Sequence, residues 1–485
     1  MSRALFLYTK VLNIYKLSDR INSQISLCLK GIKFMNICIV GCGKVGTTII
    51  SSLVSEGHDV VVVDSNNEVV SEICNIYDVM GVCGNGVDSD VLLEAGVDNT
   101  ELFIASTSSD EFNMLSCFIA KKLGAAHTIA RIRNPEYNDK SLSFMKQHLD
   151  LSMSINPELL TAQEMFNILR FPTAIKIETF SRRNFEMIEL KLKENSILNG
   201  MSLIEMRNRF KLNFLVCIVK RGDLVYIPDG SFMLNSGDRI ALTAERSELQ
   251  KLFKSLGIFK KKTHDIMILG GSKISYYLAK MLISSGCNVK IIEKDKAVCE
   301  RLCELLPKAV ILNGDGASQE LLLEESIQNQ DAFVSLTGID EENILMSYFA
   351  ESQNVPTVIS KVNRDELMPI AEKLSLDCIV SPKNIISDVV VRFARALENS
   401  LGSSVEALYK FMDSEVEALE FKVSSEFKYT NIPLKDLSFK KNILVAGIIR
   451  NRKPFIPSGN DVILTDDRVI IISAGRKLYD LSDII

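Results

Sequence analysis

The chain is written twice, and this repetition constrains its fold more than any other feature. Residues 36–140 and 265–370 align at an offset of 229–230. NICIVGCGKVG answers DIMILGGSKIS, and HDVVVVDSN answers NVKIIEKDK, which sets Asp64 opposite Glu293. GNGVDSDVLLEAGV (84–97) answers GDGASQELLLEESI (314–327), LFIASTSSDEFNML (102–115) answers AFVSLTGIDEENIL (332–345), and TIARIRN (128–134) answers VISKVNR (358–364). Downstream, IELKL (188–192) pairs with LEFKV (419–423), LVCIVKRGDLVYIPDG (215–230) with LVAGIIRNRKPFIPSG (444–459), and GDRIALTA (237–244) with DDRVIIIS (466–473). The order is A–B–A′–B′, a tandem duplication of a two-domain unit. A length of 485 residues accommodates four such domains.

Within A, short Val/Ile runs alternate with helical patterns. Continuous apolar runs indicate strands buried on both faces, hence a parallel sheet. The fold class is therefore α/β: two doubly wound parallel-sheet Rossmann domains, each followed by a small α+β domain. Domain B reads as strands near 187–192, 213–220 and 239–244 with a helix near 201–209. The expected divisions are an extension at 1–34, a Rossmann domain at 35–150, a crossover-helix linker at 151–175 and a regulatory-type domain at 176–257. In the second half they are 264–375, 376–405 and 406–485.

Composition excludes several classes. The formal charge is −5; without the six basic residues and one acidic residue of 1–34 it becomes −10. An acidic body argues against nucleic acid, whose phosphates need a basic face. No stretch approaches the ~18 apolar residues of a spanning helix. The 11 cysteines form no CxxC pair, which suits reduced thiols in a cytosolic protein. Cys299 and Cys303 are four apart on a helix, but without a nearby third ligand they read as small buried hydrophobes rather than a metal site. Residues 1–34 make a poor signal peptide. They read as an extension outside the folded core, with a membrane-touching basic amphipathic helix as the alternative.

Gly41, Gly43 and Gly46 form G-x-G-x-x-G between a strand and a helix. The first Gly permits the tight turn, the second lets a pyrophosphate approach, and the third lets helix and strand pack closely. The helix N-terminus offers free N–H groups and a partial positive charge. Asp64 follows Gly46 by 18 residues, at the end of the second strand. A carboxylate there accepts from a ribose 2′-OH and repels a 2′-phosphate, so NAD is preferred to NADP. Thr107 and Ser108 at another strand end could bond adenosine or ribose. Arg131 either neutralises a phosphate or is a solvated or salt-bridged side chain. In the second half Gly270, Glu293 and Asp315 remain, but Ser272 and Ser275 replace two glycines. Ser272 would crowd a pyrophosphate and Ser275 would loosen helix–strand packing, so the second crevice is expected to bind nucleotide more weakly or not at all.

The four histidines, His58, His127, His148 and His264, stand in no recognisable catalytic spacing. There is no Walker A loop, GxSxG elbow or HExxH helix. No catalytic residue and no metal ligand is assigned, and the nucleotide reads as a signal rather than a reactant. A cytosolic NAD-dependent oxidoreductase is the alternative, and a ligand-sensing module of another transporter a third.

The tandem order, with MNICIVGCGKVG, VVVVDSN, GVCGNG, ASTSSDEFNML and IARIRNPEY, resembles the TrkA family of Trk potassium uptake systems across residues 35–485. KRGDLVYIPDG and GDRIAL resemble the C-terminal domain of regulators of potassium conductance. The resemblance implies a regulatory subunit, cytoplasmic and peripheral on the inner face of the cell membrane, that gates a separate integral membrane potassium-translocating subunit. It implies two chains forming a ring of four Rossmann domains. By the same resemblance Gly41, Cys42, Gly43, Lys44 and Val45 wrap the phosphates, Asp64 holds the ribose, and Thr107, Ser108 and Arg131 hold the rest. The nucleotide is NAD⁺ or NADH, with ATP also able to use such a crevice.

Overall fold

Val- and Ile-rich runs build the first sheet. Strands β1 (Asn36–Val40), β2 (Asp59–Asp64), β3 (Met80–Cys83), β4 (Leu102–Ala105), β5 (His127–Arg131) and β6 (Met153–Ile155) are all parallel, in the order β3-β2-β1-β4-β5-β6. Ile37 pairs with Val60 on one side and Leu102 on the other. The helices are α1 (Lys44–Ser55), α2 (Asn67–Ile76), α3 (Ser89–Glu94), α4 (Asp110–Leu123), α5 (Asp139–His148) and α6 (Pro157–Arg170). Asn66, Asp88 and Ser109 cap α2, α3 and α4 by accepting backbone N–H groups of the first turn, the usual role of short polar side chains there. The strand order reverses between β1 and β4, and a crevice opens there at the carboxyl ends of the strands. The computed structural model describes residues 35–134, 137, 139–170, 175–180, 185–194, 196–256, 263–374, 376, 378–400, 405–412, 415–478 and 480–485; the 1–34 extension and most of the lysine joint between the halves lie outside them.

The following unit comprises β7 (Lys176–Phe180), β8 (Phe185–Lys191), α7 (Leu203–Phe210), β9 (Phe214–Arg221), β10 (Leu224–Tyr226), β11 (Arg239–Glu245) and α8 (Arg246–Ser255). Its antiparallel sheet runs β10-β9-β11-β8-β7. The second half repeats the first. It contains β12 (Asp265–Leu269), α9 (Lys273–Ser284), β13 (Asn288–Glu293), α10 (Lys296–Leu305), β14 (Val310–Asn313), α11 (Gln319–Glu324), β15 (Ala332–Ser335), α12 (Asp340–Ser352), β16 (Thr357–Lys361), α13 (Met368–Lys373) and β17 (Cys378–Val380). After α14 (Pro382–Ser400) come β18 (Val405–Phe411), β19 (Val416–Lys422), β20 (Ile443–Arg450), β21 (Lys453–Phe455) and β22 (Arg468–Ala474). The sheets are ordered β14-β13-β12-β15-β16-β17 and β18-β19-β22-β20-β21, the same topologies as before. No helix among the described residues is long and apolar enough to cross a membrane.

Several elements depart from the sequence pattern. The regulatory-type unit has five strands where the pattern predicts three; β10 has only three residues beside the turn at Gly222 (φ +59°). Strands β6 and β17 fall in stretches that read as helical linkers. They too have three residues each, too few for a strand period to show. Cys303 is exposed, whereas Cys299 is buried; the buried stripe of α10 runs through Cys299 and Leu302 and leaves Cys303 at its margin.

The linking helices are exchanged between the halves. Ala162, Met165, Ile168 and Leu169 of α6, encoded in the first half, share a core with Ile266, Ile268, Leu278 and Leu282 of the second. Reciprocally, Ile386, Val390, Val391 and Ala394 of α14 share a core with Ile37, Ile39, Ile50 and Leu53 of the first. Polar contacts pin the exchange. The Thr263 hydroxyl donates to the Leu169 carbonyl at 3.0 Å. Arg395 of α14, 3% exposed, pairs with Glu56 at the end of α1 and with Glu417 of β19, at 2.5 and 3.0 Å. The two antiparallel sheets also pack together, with Phe185, Met187 and Ile218 against Val416, Ile470 and Ile472. A Cβ on Gly447 would meet the Phe185 ring at 2.6 Å, so glycine sets that approach.

Leu169→Ala should cost about 2–5 kcal/mol in urea unfolding, the range for emptying a buried leucine site. Because Leu169 seals the other half's core, amide exchange should quicken at Ile266–Leu269 and not at Ile37–Val40. The opposite pattern would place α6 on its own half.

Candidate nucleotide-binding site

The chain leaves β1 at Gly41, where φ is +95° and an added Cβ would meet the Thr107 nitrogen at 2.9 Å; only glycine fits both. The Gly41 N–H donates to the Val63 carbonyl at 2.9 Å. The Cys42 N–H donates to Asp64 Oδ2 at 2.8 Å, and the Asn66 N–H to Asp64 Oδ1 at 3.0 Å. Asp64 thus ties the loop to the end of β2. A carboxylate has about four lone-pair sites, so acceptor capacity remains toward the crevice. Cys42 is buried, and its thiol is pushed up to about 12 by burial, with Asp64 and Cys74 adding to it; it packs as a protonated side chain.

Gly43 is the N-cap of α1 and offers no side-chain cap. The first-turn N–H groups, which a helix leaves without partners, therefore start at a residue exposed to the crevice. A Cβ on Gly43 would meet nothing within 4 Å, whereas one on Gly46 would lie 1.9 Å from the Gly41 carbonyl oxygen. The crossing of α1 over β1 depends on that missing atom.

The facing wall is organised by Asn113, which is fully buried and which motif reasoning missed. Its Oδ1 accepts from the Thr107 N–H at 2.8 Å and the Thr107 hydroxyl at 2.7 Å. Its Nδ2 donates to the Arg131 carbonyl at 2.9 Å, joining the β4 loop to the end of β5. Asp110 accepts from the N–H groups of Arg133 and Asn134, both at 2.7 Å. The sequence signals for this pair are its place in the ASTSSDEFNML run and its recurrence as Asp340 and Asn343, which make the equivalent bonds. The Thr107 hydroxyl proton is committed to Asn113, so Thr107 can meet a ligand only as an acceptor. Ser108 is exposed, and its carbonyl accepts from the Arg133 guanidinium.

Arg131 donates from Nη1 to the Thr107 carbonyl at 3.3 Å, while its buried Nε has no partner. Burial first, then the neighbouring Arg133, holds its pKa below the usual guanidinium range. Glu158, which lines the same cavity, and Asp110 pull the other way; a partly desolvated cation whose hydrogen bond goes to a carbonyl can still take an anionic ligand. Gly41, Gly43, Lys44, Val45, Asp64, Thr107, Ser108 and Arg131 all line one cavity of about 1400 Å³. Cys42 and Gly46 lie buried beneath it.

The second crevice keeps the frame and changes the lip. Gly270 has φ +96°, and Glu293 accepts from the Gly271 N–H at 2.5 Å. The longer acid occupies space left by a glycine in place of Cys42, since a Cβ there would meet Glu293 Oε2 at 2.9 Å. Ser272 caps α9 by accepting from the Ser275 N–H at 3.2 Å, which occupies a first-turn donor that α1 leaves open. Ser275 does not loosen the packing: it is fully buried, and its hydroxyl donates to the Gly270 carbonyl at 2.5 Å. Asp315 is half exposed and pairs with Lys294 at 3.1 Å. Gly270, Glu293 and Asp315 stand outside the 1400 Å³ cavity.

Comparison with known proteins adds the following. Residues 37–146 and 266–382 match the TrkA-N domain family, and residues 187–257 and 418–485 the TrkA-C domain family. The chain is 31% identical over 455 residues to the Trk system potassium uptake protein TrkA homolog of Archaeoglobus fulgidus, covering 93% of this chain and 100% of that protein. It is 28% identical over 455 residues to the Trk system potassium uptake protein TrkA of Haemophilus influenzae, covering 93% and 96%. The crystal structure of the GsuK RCK domain superposes with a TM-score of 0.61 at 18% identity, covering 91% of this chain and 93% of that one. The GsuK channel bound to NAD gives 0.60 at 17% identity, covering 98% and 86%. At these identities the structural likeness speaks to fold alone.

The two glycines separate folding from binding. In urea unfolding Gly46→Ala should cost on the order of 3 kcal/mol through the clash with Gly41, and Gly43→Ala less than about 1 kcal/mol. Equal costs would contradict the assigned loop geometry.

Proposed function

The chain belongs to the Trk system potassium uptake protein TrkA family, and from that premise we propose that it is the nucleotide-sensing regulatory subunit of a Trk-type potassium uptake system. It acts from the cytoplasmic face on a separate integral membrane subunit that carries potassium, and two chains form a ring of four Rossmann domains. The observation that carries this reading is the first crevice: an uncapped helix N-terminus at Gly43, Asp64 at the end of β2 and the partly desolvated Arg131 around one cavity. These groups suit a dinucleotide or nucleoside phosphate. In this reading Gly41, Cys42, Gly43, Lys44, Val45 and Gly46 form the phosphate loop, Asp64 accepts from a ribose hydroxyl, and Thr107 and Ser108 supply acceptors. The known GsuK structure with NAD makes NAD(H) the first ligand to try, and ATP the second. The second crevice, with Gly270, Glu293 and Asp315, binds more weakly because Ser272 has taken up a helix donor.

Regulation then reduces to differential affinity. A nucleotide shifts the ring between two shapes only by as much as it prefers one of them. The residues on this chain bind and orient the ligand, and the membrane partner moves the ion.

The test is potassium flux into proteoliposomes that hold the membrane subunit, with the full chain and each of NAD⁺, NADH and ATP. The effective nucleotide should change flux in the presence of the chain and do nothing without it. Asp64→Ala should raise the nucleotide concentration required by about tenfold, the effect of losing a charge-assisted hydrogen bond. Flux indifferent to every nucleotide would overturn the reading.

A further inference from the structure

A second cavity, of about 700 Å³, lies where the exchanged helices meet the antiparallel sheets. Its charged lining comes from both halves: Lys176 and Glu178 stand on β7, Asp388 and Arg392 on α14, and Lys410 on β18. Two contacts tie the halves across it. Arg392 of the second half reaches Glu178 of the first at 3.9 Å, and Lys176 of the first donates to the Lys410 carbonyl of the second at 2.7 Å. Lys176 also pairs with Glu178 at 3.6 Å, and Lys410 with Asp388 at 3.9 Å. Farther round, Glu189 is matched by Arg239 and Asp365 by Lys383; Lys191 and Glu372 complete the charged lining.

Glu164 of α6 enters the same cavity and is half-buried there. Among the described residues it has no hydrogen bond and no cation within ion-pair distance, because Lys176 and Arg392 both go to Glu178. The opposite face of α6 packs on α9, which sends no charged residue into the cavity. A carboxylate at this point loses water and faces the charges of Glu178 and Asp388, and both effects favour its neutral form. Burial, then Glu178, pushes the Glu164 carboxyl up to about 7, with Lys176 and Arg392 pulling back. Counted from Pro157 and Pro382, α14 has Val389 at the equivalent point, so the exchange of helices does not itself require an acid.

We propose that Glu164 is a proton-operated latch between the halves: protonated, it leaves Lys176 and Arg392 to Glu178 and the junction of α6, α14, β7 and β18 stays closed; ionised, it competes for those cations and the junction loosens. The closed junction binds the proton more tightly than an open one, where the carboxyl returns to about 4.5. Closure is therefore fully supported below that value, weakens as pH rises toward about 7, and gains nothing from the proton above it. Because α6 and α14 each complete the other half's core, loosening here reaches both Rossmann units. The latch goes beyond the nucleotide reading and does not rest on it, since Glu164, Lys176, Glu178 and Arg392 lie outside the cavity of the glycine loop.

The experiment is hydrogen–deuterium exchange of the full, nucleotide-free chain, corrected for the intrinsic pH dependence of amide exchange. Opening of Pro157–Arg170 and Pro382–Ser400 should increase about tenfold from about pH 6 to about pH 8, the linkage of a carboxyl held near 7 when closed and near 4.5 when open. Glu164→Gln, which keeps the neutral form at every pH, should stay at the low-pH level throughout. Glu300→Gln, at an exposed acid of α10, should follow wild type; a response lost there too would make the effect one of surface charge and overturn the latch. His127 meets Phe393 of α14 and is untouched by Glu164→Gln, so a tenfold response retained in that variant would belong to another group and equally overturn it. The pH-difference infrared spectrum gives an independent reading. Wild type should show a protonated-carboxyl C=O band that fades as pH passes about 7 and is missing in Glu164→Gln. A wild-type spectrum without that band would overturn the proposal however the variant folds.

Discussion

Each half of this chain is sealed by a helix that the other half encodes. A doubly wound sheet must cover apolar flanks on both faces, and here the covers for β1 and β12 arrive from α14 and α6. Burying a leucine- or isoleucine-sized side chain is worth about 1.5–3 kcal/mol, and each helix places four apolar residues in the foreign core. Neither Rossmann unit therefore has a complete core of its own, and a change in the spacing of the halves must be carried through α6 and α14. The Arg395–Glu56–Glu417 cluster adds a direct tie. It joins the carboxyl end of α1, whose amino end carries the glycine loop, to the second antiparallel sheet.

The two crevices have diverged while their frames stayed the same. In both, an acid at the end of the second strand accepts the N–H after the first glycine. In both, a buried Asn binds the loop after the fourth strand. The differences sit at the lip. Gly43 leaves the helix terminus open, whereas Ser272 caps it with its own hydroxyl. The second frame remains sound, with Ser275 donating to Gly270, but its first-turn Ser275 N–H is taken by the Ser272 hydroxyl. Duplication followed by this change leaves two like frames with unlike helix termini, one uncapped and one capped.

Much of this was legible in the residue order. The Val/Ile runs announce buried parallel strands, and the glycine loop between β1 and α1 announces the crevice, because both signals are local and dense. Strands of three residues, such as β6, β10 and β17, carry no period and were invisible. The exchange of α6 and α14 could not be read either: an apolar stripe shows which face is buried but not which half buries it. For the same reason Lys361 and Lys383, which line the first cavity, look from the repeat like residues of the second crevice. Ser275 shows the converse limit. A Cβ that would collide in one copy is accommodated in the other by a hydroxyl that bonds the carbonyl it would otherwise strike.

In this reading a signal received at the first glycine loop passes to the second half through the exchanged helices. Hydrogen–deuterium exchange of the full chain, with and without saturating nucleotide, tests it most directly. Coupling predicts slower exchange at Gly41–Gly46 together with slower exchange in Pro382–Ser400 and at the end of β16, since these segments meet at the cavity. Protection confined to the first-half loops, with α14 and β16 unchanged, would contradict it.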